Sequence, residues 1–217
     1  MAELRRVDPD HPDPAALAKA AGQLLRGGLV AFPTESFYGL GVLASSPDAV
    51  QRLFTVKQRP ADQPILVVAA DRDQVMTVVE RIPLIAERLT VRFWPGPLTL
   101  VLPAKPAVPL VLTGGTGRLG VRVPGLALPR LLAAAAGGPI TATSANYSGA
   151  PPPTTAEAVQ AAMGGAIDLI LDGGPTAGGL PSTVLDLCGE QPVLVREGRI
   201  SVGQLQEICG ALQKITK

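Results

Sequence analysis

The chain has 217 residues and a formal net charge of +1, so no global field draws it to nucleic acid or to an anionic membrane. Hydrophobic residues make up 47% and charged residues 17%, a balance that excludes disorder and allows an ordinary buried core. Cys188 and Cys209 have no C-x-x-C spacing and the single histidine, His11, sits in a Pro/Asp-rich segment, which excludes a disulfide framework, a His/Cys metal site and a Ser-His or Cys-His nucleophile. The N-terminus lacks the apolar core of a signal peptide, and no stretch approaches the roughly 20 apolar residues of a membrane span. A cytoplasmic protein without membrane attachment is the expectation.

A helix is expected from Pro14, with Leu17, Ala20, Ala21, Leu24 and Leu25 on one face and Gly27-Gly28 as its stop. Leu29 to Phe32 reads as a buried strand ended by Pro33, and Pro33 to Gly41 as the loop after it. Ser46 and Pro47 mark the N-cap and first residue of a second helix, which turns Val50, Leu53 and Phe54 inward and ends near Lys57. Ile65 to Ala70 is the next strand, and Asp73 to Arg92 holds one or two helices. Trp94-Pro95-Gly96-Pro97 is a rigid turn, followed by strands at Leu98 to Leu102 and Leu119 to Val123. A helix near Leu128 to Ala136 stops at Gly137-Gly138, and Pro139 to Thr143 is a strand running into Ser144. Thr154-x-x-Glu157 spells a capping box, strands follow at Ile167 to Leu171, Thr183 to Leu187 and Val193 to Arg196, and Ser201 caps a terminal helix. This alternation predicts one α/β domain over residues 1–217, on an open twisted mixed sheet flanked by helices, with antiparallel pairing near Leu98 and Thr183.

Gly39-x-Gly41-x-x-Ala44, with Asp62 downstream, matches the dinucleotide-binding spacing, but it neither follows its strand directly nor opens a helix. There is no Walker A sequence. Two polar stretches interrupt the apolar pattern instead. Lys57-x-Arg59-Pro60 pairs a point charge with a planar fork, suited to phosphate or carboxylate oxygens. Thr143-Ser144-Ala145-Asn146 adds a hydroxyl and an amide that fix a polar ligand without charge. Each alone has a plain structural explanation as a helix end or a cap. Arg122 inside an apolar strand and Arg196 at the end of another are harder to explain, because an arginine there must be paired or point into a polar cavity. Together with Ser182 they predict a local anion site.

Seven motifs occur in order: Pro33-Thr34-Glu35-Ser36-Phe37-Tyr38-Gly39-Leu40-Gly41, Lys57-x-Arg59-Pro60, Trp94-Pro95-Gly96-Pro97-Leu98-Thr99, Arg122-Val123-Pro124, Thr143-Ser144-Ala145-Asn146-x-Ser148-Gly149, Ser182-Thr183-Val184-Leu185-Asp186 and Arg196-x-Gly198. In these the chain resembles the YrdC-like family of threonylcarbamoyl-AMP synthases in its short single-domain form, with the motif-bearing region spanning about residues 14–200. The resemblance implies a fold with a deep, positively charged cleft. It also implies a reaction that joins L-threonine, bicarbonate and ATP, as its Mg²⁺ complex and with no prosthetic group, into threonylcarbamoyl-adenylate and pyrophosphate. Partner transferases then modify tRNA. By motif position, Lys57, Arg59, Ser144 and Asn146 are the implied catalytic and ATP-binding residues, joined by Arg196 on the nucleotide side. Thr34, Arg122 and Ser182 are the implied L-threonine ligands, and no side chain is implied as a metal ligand. Glu35, Ser36 and Phe37 depart from the family's usual P-T-D-T-V-Y, and Gln63 replaces the more frequent Lys or Asn before Pro64. Two rival readings are an RNA-binding module of the same fold, which needs a wide basic face, and a carbamoyl-adenylate synthase with a different acceptor, as in a domain of a hydrogenase maturation protein.

Overall fold

In this computed structural model, residues 1–214 are described, and their strands divide between two mixed sheets. The first sheet contains β1 (Glu3–Arg6), β2 (Val30–Pro33), β3 (Tyr38–Gly41), β8 (Thr143–Ser144) and β9 (Leu169–Asp172), in the order β1-β9-β2-β3-β8. The second contains β4 (Val67–Val68), β5 (Leu98–Pro103), β6 (Arg118–Arg122), β7 (Ile140–Thr141), β10 (Thr183–Asp186), β11 (Val193–Arg196) and β12 (Gln213–Lys214), in the order β12-β11-β10-β5-β6-β4-β7. Flanking them are α1 (Pro14–Leu25), α2 (Pro47–Lys57), α3 (Arg72–Met76), α4 (Leu84–Phe93), α5 (Ala127–Ala135), α6 (Ala156–Met163) and α7 (Val202–Cys209). The α/β class, the mixed pairing and the antiparallel β5–β6 and β10–β11 pairs agree with the sequence. One open sheet was expected, and two are found.

The division has an identifiable cause at the predicted strand Pro139–Thr143. It breaks at Ala142, so that β7 pairs with β4 in the second sheet and β8 pairs with β3 in the first. Ala142 donates its N–H to Leu66 O at 3.0 Å and forms the seam. The loop expected after Pro33 is another correction, for Tyr38–Gly41 is a central strand antiparallel to β2. Its glycines hid it, yet they are what the pairing requires. A Cβ on Gly41 would lie 2.8 Å from the Phe32 ring, and one on Gly39 3.2 Å from it. The ring lies across the hairpin where side chains would otherwise stand. The dinucleotide-like spacing is therefore aromatic packing.

Smaller corrections follow from local donors. Val67–Val68 is all that remains of the predicted strand Ile65–Ala70, because Ile65 N–H bonds to Leu112 O and Ala70 N–H to the Gln74 side chain. The cap of α6 is Thr155, one residue later than predicted, with its hydroxyl accepting from Ala158 N. Leu29, just before β2, and residues of β2 alternate between two apolar clusters: Leu29 and Ala31 join the larger one, to which both sheets contribute, and Val30 and Phe32 join α1 and α5 on the other face. No helix among the described residues is long and apolar enough to cross a membrane.

Asp168 ties three elements together, accepting from Leu29 N at 2.7 Å and from both arms of Arg52 on α2 at 2.8 and 3.2 Å. Burial opposes its charge, but the Arg52 and Leu29 bonds outweigh that and hold its pKa below 3.8. Asp168→Asn is expected to cost about 1–2 kcal/mol in urea unfolding at pH 7. Because the folded-state pKa is the lower one, the wild type loses this advantage as the pH falls below about 4.

Candidate active site

A cavity of about 390 Å³ opens where the chain passes between the sheets. Thr34, Tyr38, Gly39, Thr143 and Ser144 line it from the first sheet and its connections, while Leu66, Val68, Arg122, Ser182 and Arg196 line it from the second. Arg59 reaches it from the end of α2. Six of the eight predicted site residues therefore meet on one surface: Thr34, Arg59, Arg122, Ser144, Ser182 and Arg196. Lys57 and Asn146 do not.

Lys57 and Arg59 part company because Gln58 between them is left-handed, with φ 52°. Gln58 N–H bonds to Thr55 O and Arg59 N–H to Phe54 O, the double bond of a Schellman stop. Arg59 turns into the cavity wall and donates to Gln63 O at 3.0 Å and Pro64 O at 2.9 Å, closing its own loop. Lys57 points the other way and is 1% exposed. Its Nζ donates to Ser144 O at 2.5 Å and Asn146 O at 2.6 Å, and its own carbonyl accepts from Ser148 N at 3.0 Å. The cleft-facing ammonium expected from the sequence is thus a buried staple that joins the two polar stretches from behind. Burial above all, with Arg59 adding to it, pulls the Lys57 pKa down to about 8.

Asn146 is likewise buried behind the wall, where its amide donates to Ala150 O. Its Oδ1 is buried and has no partner among the described residues. Ser144, by contrast, faces the cavity while its carbonyl holds Lys57. The Thr34 hydroxyl donates to Phe37 O at 2.7 Å and shapes its own turn.

Arg122 is 8% exposed, and burial pulls its pKa down, against the opposing pull of Glu35. Its Nε donates to Gly96 O at 2.9 Å, which is the service the Trp94–Pro97 turn performs. One arm donates to Glu35 Oε1 at 2.6 Å, the oxygen that also accepts from Gly125 N. Only the remaining arm is available to a ligand. The fork implied as an L-threonine ligand is therefore half occupied, since an arginine this deeply buried needs a countercharge. Ser182 is committed too. Its hydroxyl lies 2.9 Å from Thr99 Oγ1 and accepts from Arg196 at 3.1 Å, while its carbonyl accepts from Arg196 twice.

Three contributors escaped sequence reasoning. Glu35 looked like a departure from a motif and is the countercharge of Arg122. Arg199 donates to Leu180 O, Glu35 O and Gly178 O, a role with no local sequence signal. Gly198 was seen only as part of a motif; a Cβ there would meet Pro181 O at 2.3 Å. Among the described residues no group of three or more His, Cys, Asp and Glu side chains could hold a metal.

The Sua5_yciO_yrdC family model, described as telomere recombination, matches residues 22–198. The chain belongs to this family. Among the relatives of this Sua5/YciO/YrdC chain, a threonylcarbamoyl-AMP synthase of Pyrococcus abyssi is 45% identical over 194 residues, covering 89% of this chain and 57% of that protein. A second, from Bacillus subtilis, is 43% identical and covers 97% of this chain and 59% of that protein. The chain thus spans somewhat over half the length of these curated relatives. The structure of P. abyssi Sua5 complexed with L-threonine superposes with a TM-score of 0.93 at 42% identity, covering 97% of this chain and 62% of that one. Escherichia coli YciO superposes with a TM-score of 0.85 at 28% identity, covering 94% of this chain and the whole of that one.

Proposed function

We propose that the protein is a threonylcarbamoyl-AMP synthase that makes threonylcarbamoyl-adenylate from L-threonine, bicarbonate and ATP. The observation that carries this reading is the convergence of Arg59, Arg122, Arg196 and Ser144 on one cavity with an apolar floor of Leu66, Val68 and Ala142. Such a surface suits two anionic ligands. The family and the likeness to a relative solved with L-threonine support the same reading. Residues 1–217 act in it as one domain, in the cytoplasm, and the product passes to partner transferases that act on tRNA.

The chemistry is positioning and charge neutralisation. The threonine amine adds to bicarbonate and water is lost, leaving a carbamate. A carbamate oxygen then attacks the α-phosphorus of ATP, and the bond to the bridging oxygen breaks as pyrophosphate leaves with the electron pair. The free arm of Arg122 takes the amino-acid carboxylate, while Thr34, Ser182 and Phe37 wall its side chain. Arg59 and the Ser144 hydroxyl face the phosphates, with Arg196 beside them. Lys57 and Asn146 support that wall from behind. Mg²⁺ would enter with ATP; no Asp or Glu among the described residues lines the cavity, and Glu35, beside the lining residue Arg122, is engaged by Arg122 and Gly125.

Pyrophosphate release from ATP and bicarbonate with each amino acid in turn tests this. Release that requires both threonine and bicarbonate is expected. Release with another amino acid in place of threonine moves the activity to a different acceptor, and no release with any of them refutes the enzyme reading.

A further inference from the structure

We propose that Arg199 is a positioning residue: it holds the glycine-rich segment 173–181 against the Thr34–Phe37 turn and, through Glu35, fixes Arg122 for a bound carboxylate. This rests on the reading of the cavity as an amino-acid site.

The segment Gly173–Pro181 leads directly into Ser182 in the cavity wall, and Gly174, Gly178 and Gly179 all have positive φ. Glycines in that region give the backbone little stiffness of its own, so the segment's course is set by what it is bonded to. Near its end the bonds converge on one guanidinium. Arg199 Nε donates to Leu180 O at 3.1 Å, and one of its arms donates to Gly178 O at 3.2 Å and to Glu35 O at 3.1 Å. Its backbone N–H donates to Pro181 O at 3.1 Å. Ser36 reinforces the junction, donating its hydroxyl to Leu180 O at 3.0 Å and accepting from Gly178 N at 2.8 Å.

The route to Arg122 is short. Arg199 holds the Glu35 backbone, and the Glu35 carboxylate holds one arm of Arg122 together with Gly125 N. With Nε on Gly96 O, that bond decides where the remaining arm points. Gly198 permits the arrangement, since any side chain there would strike the Pro181 carbonyl and drive the segment off. Arg199 is exposed and contributes no core packing, so it can be changed without emptying the interior.

Charge and geometry are separable. Arg199→Met removes both, whereas Arg199→Lys keeps the charge but loses the planar fork that spans three carbonyls. Calorimetric titration of the wild type and both variants with L-threonine and with ATP is the first measurement, and the Arg122 Nε–H resonance in NMR spectra is the second. Both variants are expected to bind L-threonine about 10-fold more weakly, with ATP affinity within about twofold of wild type and the Arg122 resonance displaced. Full recovery of threonine binding in Arg199→Lys, equal weakening toward ATP, or an unmoved Arg122 resonance each overturns the proposal. If the wild type itself binds no L-threonine, the amino-acid reading of the cavity fails. The resonance still decides whether Arg199 sets Arg122.

Discussion

Lys57→Ala is expected to abolish turnover and, at the same time, to cost about 2–3 kcal/mol of stability at pH 7. The combination is what distinguishes a buried staple from a phosphate ligand at the cavity surface. Truncation removes three buried methylenes with the ammonium and strips Ser144 O and Asn146 O of their donor. The loop carrying Ser144 then loses its register in the cavity wall. Relief of charge burial offsets part of that cost. A pH series isolates the charge, using Lys57→Met, which keeps the stem. The Lys57 pKa is lowered from 10.5 to about 8, so between those values the unfolded chain holds the extra proton and stability rises with pH. The free-energy difference between wild type and Lys57→Met is expected to be flat below about pH 8 and to grow in favour of the wild type by on the order of 2–3 kcal/mol toward pH 10.5. Urea denaturation across that range measures it, and a flat difference throughout means that Lys57 is not buried as described.

Arg59→Ala is expected to lose activity without that loss of stability, lowering kcat by about 10²–10³ while changing stability by less than about 1 kcal/mol. Its guanidinium lines the cavity, and among the described residues its bonds go only to Gln63 O and Pro64 O, within its own loop. Arg59→Lys is expected to recover little, because an ammonium cannot hold those two carbonyls and a phosphate oxygen in one plane. Steady-state kinetics with thermal unfolding of the same samples separates the two lysine and arginine phenotypes. An Arg59→Ala protein with wild-type kcat removes Arg59 from the reacting centre.

The contrast between these neighbours marks where the sequence stops being informative. Residue types and motif order identify an anion site, because Arg122 and Arg196 in apolar strands need either a partner or a ligand. Helices with strong punctuation, such as Ser46-Pro47 at the start of α2 and Ser201 at the start of α7, fall where local rules place them. What local rules miss is long-range pairing. The Lys57 staple joins residues nearly ninety positions apart, and the Glu35–Arg122 pair is similarly remote, with |i−j| of 87. Neither leaves a mark on the flanking sequence. Tyr38–Gly41 was hidden for another reason. Its glycines read as a turn in isolation and become a strand only when the Phe32 ring is laid across them.

The proposed activity stands on one product. Incubating the protein with ATP, L-threonine and ¹³C-bicarbonate and analysing the mixture by mass spectrometry tests it directly. The result predicted is an adenylate carrying threonine and one ¹³C, formed in step with pyrophosphate. Pyrophosphate without that labelled adenylate, or an adenylate of threonine lacking the label, contradicts it.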